Sequence, residues 1–158
     1  MQGKLRILMV CMGNICRSPT MEGVLRARLA AYGLQDRIEV DSAGTHDYHI
    51  GRAPDPRSVA AAAQRGYDLS ALRARQVQAA DFSAFDFVLA ADRDNLANLQ
   101  RLRRGQGVEP QLLLSILEAD AEVPDPYYGG PQGFEDVLDL VEAACDAWCR
   151  RWQQHLRG

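Results

Sequence analysis

The chain has 158 residues, of which 47% are hydrophobic and 25% charged, with a formal net charge of −3. That length suits one domain with a real core, and the composition excludes a disordered or membrane-embedded chain. The charge balance gives no case for nucleic acid or an anionic membrane as partner.

Leu5 to Val10 (LRILMV) is a short run, apolar but for Arg6, the pattern of a strand buried on both faces. From Pro19 the spacing turns helical, with Met21, Val24, Leu25 and Leu29 forming one stripe up to Gly33, and Ser18-Pro19 supplying a cap and a first turn. Ile38 to Gly44 predicts a second strand, and a helix follows from near Asp55-Pro56 to a stop at Gly66. Residues 85–91 (FDFVLAA) predict a third strand, Asp94 to about Arg104 a helix, and residues 112–117 (LLLSIL) a fourth strand. The last helix runs from Phe134 to Leu156, with Val137, Leu138, Val141, Ala144, Trp148 and Trp152 at helical spacing. Strands alternating with helices predict an α/β fold, a three-layer arrangement of a four-stranded parallel sheet with helices on both faces. In such sheets ligands bind at the carboxyl ends of the strands. The basic run 101–105 (RLRRG) reads as a solvated helix end.

No apolar run approaches the roughly 18 residues that span a bilayer, and the N-terminal residues lack the pattern of a cleaved leader. The four cysteines include no C-x-x-C pair, so they resemble neither a secreted disulfide scaffold nor a zinc site. A cytoplasmic chain with reduced thiols is expected.

The most unusual chemistry lies between the first strand and the first helix, in VCMGNICRSPT at residues 10–20. A loop entering a helix N-terminus exposes backbone N–H groups that lack helical partners, and the helix dipole adds positive potential. The loop from Met12 to Cys16 is therefore a ready anion site. Gly13 permits a tight turn, Asn14 tolerates a left-handed conformation, and Arg17 offers a planar fork for phosphate. Cys11 would sit beneath those donors, where a thiolate nucleophile is favoured. The plain alternative, a buried strand-end cysteine acting as a small hydrophobe, leaves the surrounding Gly, Asn, Arg, Ser and Pro without a purpose.

Spacing alone is weak evidence, because Cys145 to Arg151 repeats Cys-x5-Arg inside the last helix. There the amides are consumed by helical hydrogen bonds, and Cys145 and Cys149 read as packing residues beside Trp148. Ser18 can cap the helix, donate to the Cys11 sulfur, or both. Cleaving a phosphate ester also needs a proton for the departing oxygen. Asp125, between Pro124 and Pro126, is the candidate, with a turn-forming role as the alternative; Tyr127 and Tyr128 would wall an aromatic substrate.

CMGNICRSP with DPYY resembles the low-molecular-weight protein tyrosine phosphatase family, and the similarity extends through SAGT with HIG, DPR, RGYDLS, RARQV and DFSAFDFVLAAD. The resemblance implies one phosphatase domain over residues 1–158 that hydrolyses phosphotyrosine through a phosphocysteine intermediate, with no cofactor and no metal. It implies that Cys11 is the nucleophile, Arg17 the phosphate clamp and Asp125 the general acid and base. The loop Met12-Gly13-Asn14-Ile15-Cys16 would bind phosphate, Asn14 and Ser42 would pin it, and Ser18 would ease thiolate departure. Ile15, Tyr48, Tyr127 and Tyr128 would line the cleft, and Cys16 would form a protective disulfide with Cys11 under oxidation. The implied partners are a phosphotyrosine protein, a tyrosine kinase among the candidates, with phosphate or vanadate as inhibitors, and the chain a monomer or weak dimer.

Two positions depart from the family pattern. Leu72 stands where many members have a histidine, and Ala91 precedes Asp92 where a methionine is common. Asp92 can orient Arg17 or cap the helix before Asn95. Arsenate reductases of this type have Gln where Pro19 stands and use further cysteines, whereas this chain has none between Cys16 and Cys145. Phosphoarginine phosphatases carry Thr at Ile15, whose apolar side chain suits an aromatic ring better than a guanidinium. A non-catalytic phosphotyrosine-binding module would not need Cys11, Arg17 and Asp125 together.

Overall fold

The computed structural model describes residues 4–157. Strand β1 (Leu5–Cys11) is central. It pairs in parallel with β2 (Ile38–Gly44) on one side and β3 (Phe87–Ala90) on the other, and β3 pairs in parallel with β4 (Gln111–Leu112). The order is β2-β1-β3-β4. The apolar run Ile7 to Cys11 of β1 is explained by burial on both faces. Ile7, Met9 and Cys11 enter one core cluster, and Leu8 and Val10 enter the other.

On the first face pack α1 (Arg17–Ala31), α2 (Pro56–Gln64) and α5 (Pro131–Arg157). On the second lie α3 (Asp81–Ala84) and α4 (Arg93–Arg103), whose Phe82 and Leu99 meet Val88 and Ala90. The three-layer parallel arrangement expected from the alternating pattern is therefore present. Among the described residues no helix is long and apolar enough to cross a membrane.

Two expected strands are shorter than their apolar runs. The third covers 87–90 rather than 85–91, because Phe85 closes the short helix α3 and Asp86 bonds back to Arg6. The fourth covers only 111–112, and Leu113–Ile116 coil into a 3₁₀ turn. The Trp148 indole donates to the Leu113 carbonyl at 2.8 Å and the Ser115 hydroxyl to the Leu112 carbonyl at 2.7 Å. Those contacts draw the chain off the sheet edge while Leu113 and Leu114 stay buried against α5. Short apolar runs do not distinguish a strand from such a turn.

In α5, Trp148 and Trp152 stack with ring centroids 5.4 Å apart, and Phe87 meets both edge-on. Cys145 and Cys149 are fully buried in the same cluster. The second Cys-x5-Arg thus lies within a helix and offers no open cradle of amides.

Candidate active site

Residues 12–16 join the carboxyl end of β1 to the first turn of α1, and Asn14 decides their path. Its φ of 59° places a non-glycine residue in the left-handed region, at a cost of about 1–2 kcal/mol. The side chain offsets that cost. Nδ2 donates to Ser18 Oγ at 2.8 Å and Ser42 Oγ at 3.0 Å, and Oδ1 accepts the Arg75 backbone N–H at 2.9 Å. Three bonds, two of them buried, at about 1 kcal/mol each outweigh the strain.

The Asn14 backbone N–H reaches Cys11 Sγ at 3.3 Å, and the Ser18 hydroxyl lies 3.1 Å from the same sulfur. Ser42 donates to Glu22 Oε1 at 2.7 Å. A chain of polar contacts therefore runs from the sulfur, through Ser18, Asn14 and Ser42, to a buried carboxylate. Burial pushes the Glu22 carboxyl up, against the opposing effects of Ser42 and its ion-pair partner Arg26. Leu72 is half-buried against the larger core cluster.

The expectation that Ser18 caps α1 is corrected. The helix opens at Arg17, and Cys16 holds the cap position with no side-chain bond. The left-handed turn at Asn14 brings the chain into helical geometry early, and the Ser18 hydroxyl turns inward to Cys11 and Asn14.

Arg17 is 2% exposed. Its Nη1 donates to Asp92 Oδ2 at 2.6 Å and to the Val123 carbonyl at 3.1 Å, and its Nη2 lies 3.8 Å from Asp125 Oδ2. Burial opposes the guanidinium charge, but Cys11, Asp92 and Asp125 outweigh it and hold the pKa above its usual value. Asp92 serves both of its expected roles, since its Oδ1 also accepts the Asn95 N–H at 2.8 Å and caps α4. Burial, followed by the nearby Asp55 charge, pushes the Cys16 thiol up to about 12, which keeps it protonated beside Cys11.

Asp125 is an exposed residue whose Oδ1 accepts the Tyr127 N–H at 3.0 Å. One cleft of about 340 Å³ gathers the predicted groups. Cys11, Gly13, Cys16 and Arg17 form its floor, Met12 and Ile15 its apolar side, and Asp125, Tyr48, Tyr127 and Tyr128 its rim. Asn14, Ser18 and Ser42 stand behind the floor, buried. The rim is open to solvent: Tyr48 is 65% exposed, Tyr128 91%, and neighbouring Ile50 58%. Among the described residues no group of three or more His, Cys, Asp or Glu is placed to hold a metal.

Sequence reasoning did not single out Glu22, Asp55 or Arg75 as parts of this region, nor His49, which also lines the cleft. Glu22 left one signal, a charge on the same turn as the apolar stripe of α1. The contribution of Arg75 is a backbone N–H, which no side-chain pattern encodes.

Gly44, at the carboxyl end of β2, has a backbone role. A methyl group there would meet the Met12 carbonyl oxygen at 2.7 Å, Gly13 C at 3.1 Å and Asn14 N at 3.2 Å. Gly44→Ala is expected to displace the loop, with about 1–3 kcal/mol of stability lost to overpacking and a disproportionate fall in activity. Thermal unfolding and kcat/KM on one aryl phosphate check this, and wild-type values for both would refute it.

Residues 6–157 match the family model of the low molecular weight phosphotyrosine protein phosphatases. The chain is 46% identical over 159 residues to a low molecular weight protein-tyrosine-phosphatase of Streptomyces coelicolor, covering 97% of this chain and 96% of that protein. It is 39% identical over 148 residues to a low molecular weight phosphotyrosine protein phosphatase of Schizosaccharomyces pombe, covering 90% and 94% respectively. The crystal structure of YfkJ from Bacillus subtilis superposes with a TM-score of 0.90 at 33% identity, covering 98% of each chain.

Proposed function

The chain belongs to the low molecular weight phosphotyrosine protein phosphatase family, a family of hydrolases, and from that premise we propose the following division of labour at its site. Cys11 Sγ attacks phosphorus while the bond to the tyrosine oxygen breaks, and Asp125 gives that oxygen its proton. Water then attacks the phosphocysteine, Asp125 takes a proton from it, and phosphate leaves with the sulfur again a thiolate. The loop amides and Arg17 hold the phosphoryl oxygens throughout. With Nη1 engaged by Asp92 and Val123, Nε and Nη2 are left for the ligand. Ser18, 3.1 Å from the sulfur, steadies the departing thiolate.

The observation that carries this reading is the meeting of Cys11, Arg17 and Asp125 in one cleft with an apolar wall and a tyrosine rim. The wall and rim suit an aryl ester, hence a phosphotyrosine protein, with phosphate and vanadate as competing anions. Cys16 shares the floor with Cys11, which supports a protective disulfide. Peroxide would take Cys11 to the sulfenic acid, and the Cys16 sulfur would displace its oxygen as water. A single phosphatase domain in a reducing, cytoplasmic setting, as monomer or weak dimer, completes the proposal.

The test is hydrolysis of a phosphotyrosine peptide, a phosphoserine peptide and phosphoarginine by purified protein, with and without EDTA. Turnover of the phosphotyrosine peptide at least about tenfold above the others, unchanged by EDTA, is expected, because every charge in the scheme comes from side chains and amides. Preference for phosphoarginine would move the assignment to that substrate. Phosphate binding without turnover would leave only a binding module.

A further inference from the structure

The acid-bearing segment around Asp125 is exposed, yet its carboxylate must be held over a floor built from β1 and α1. One side chain from a different element reaches toward that segment. Asp55 is buried at the start of α2, and its backbone N–H donates to the Ile15 carbonyl of the phosphate-binding loop at 2.8 Å. Its carboxylate is gripped by Arg57, with Nε 3.1 Å from Oδ1 and Nη2 2.9 Å from Oδ2. The guanidinium so fixed lies over the Tyr127 ring at 5.3 Å and the Phe134 ring at 4.9 Å. Tyr127 in turn donates its N–H to Asp125 Oδ1. The path from loop to acid therefore runs Ile15, Asp55, Arg57, Tyr127, Asp125.

We infer that Arg57 is a positioning residue for proton transfer: anchored to the phosphate-binding loop through Asp55, it holds Tyr127 and thereby sets Asp125 over the cleft. The inference rests on the proposed role of Asp125 as general acid. The competing account, in which Arg57 only covers Phe134 at the head of α5, predicts a loss of stability that is blind to the substrate.

The test compares phenyl phosphate, whose leaving oxygen needs a proton, with 2,4-dinitrophenyl phosphate, whose leaving oxygen does not. Arg57→Met keeps an apolar stem over the rings and removes the fork. It is expected to lower kcat/KM for phenyl phosphate by about tenfold, the scale of two cation–π contacts, and for the dinitrophenyl ester by less than about twofold. Arg57→Lys should recover part of the loss, since it keeps the charge without the bidentate grip. In an Asp125→Asn background Arg57→Met should cost phenyl phosphate nothing further. Equal losses on the two esters, the same tenfold loss persisting without Asp125, or no loss at all would overturn the inference while leaving the acid assignment intact. If Asp125→Asn alone shows no difference between the esters, the acid assignment falls and the role of Arg57 falls with it.

Discussion

Cys11→Ser is expected to lower turnover of aryl phosphates by about 10⁵-fold or more, the scale on which removal of a covalent nucleophile is felt. The exchange replaces the sulfur with a hydroxyl oxygen, a far weaker nucleophile. It leaves the cradle in place. The Asn14 N–H and the Ser18 hydroxyl still face the substituted atom, and Arg17 keeps Asp92 and the Val123 carbonyl. Inorganic phosphate should accordingly bind within about tenfold of wild type, because the loop amides and Arg17 supply the binding. Isothermal titration with phosphate, beside single-turnover kinetics, separates the two effects. The repeat of the spacing in α5 supplies a control within the same chain: Cys145→Ala removes a fully buried thiol from a helix and should reduce thermal stability while kcat stays near wild type. Residual activity of Cys11→Ser above a hundredth of wild type would refute the nucleophile assignment.

Asp125→Asn should slow phenyl phosphate by roughly 10²–10⁴ through loss of general acid catalysis. Asparagine keeps the shape of the side chain and an oxygen for the Tyr127 N–H, so the segment should hold its path. The contact with Arg17, at 3.8 Å across a half-open site, is long, and its loss should disturb the clamp little beside Asp92. A series of aryl phosphates reads the effect directly. The decline should deepen as the leaving group becomes more basic and nearly vanish for dinitrophenyl phosphate. A loss under tenfold for phenyl phosphate, or one independent of the leaving group, would refute the assignment.

The path of the loop between β1 and α1 was legible because it is local: Gly13, Asn14, Arg17 and Pro19 lie within seven residues, and each has a conformational or electrostatic reason to follow a strand and open a helix. The strands β1 and β2 were legible because both are lined by core residues and pair along their whole length. The fourth strand was not, because its end is set by an indole donated from α5, 35 residues away in sequence. The same holds for the support of the site. Glu22 meets Ser42 across 20 residues and Asn14 meets Arg75 across 61, and a single sequence carries no mark of such pairs. Asp125 stood out only between its prolines, and the family resemblance, rather than periodicity, gave it a role.

The contrast between the buried cradle and the open rim bears on how the protein can change over time. Every anchor of the loop is a packed polar group with assigned partners, so substitution there strikes folding and chemistry together. Tyr48, Ile50 and Tyr128 stand in solvent, where most replacements shift stability by no more than about 0.5 kcal/mol. Replacements at the mouth of the cleft should therefore cost far less stability than replacements in the cradle, so sequence variation is expected to gather at the mouth.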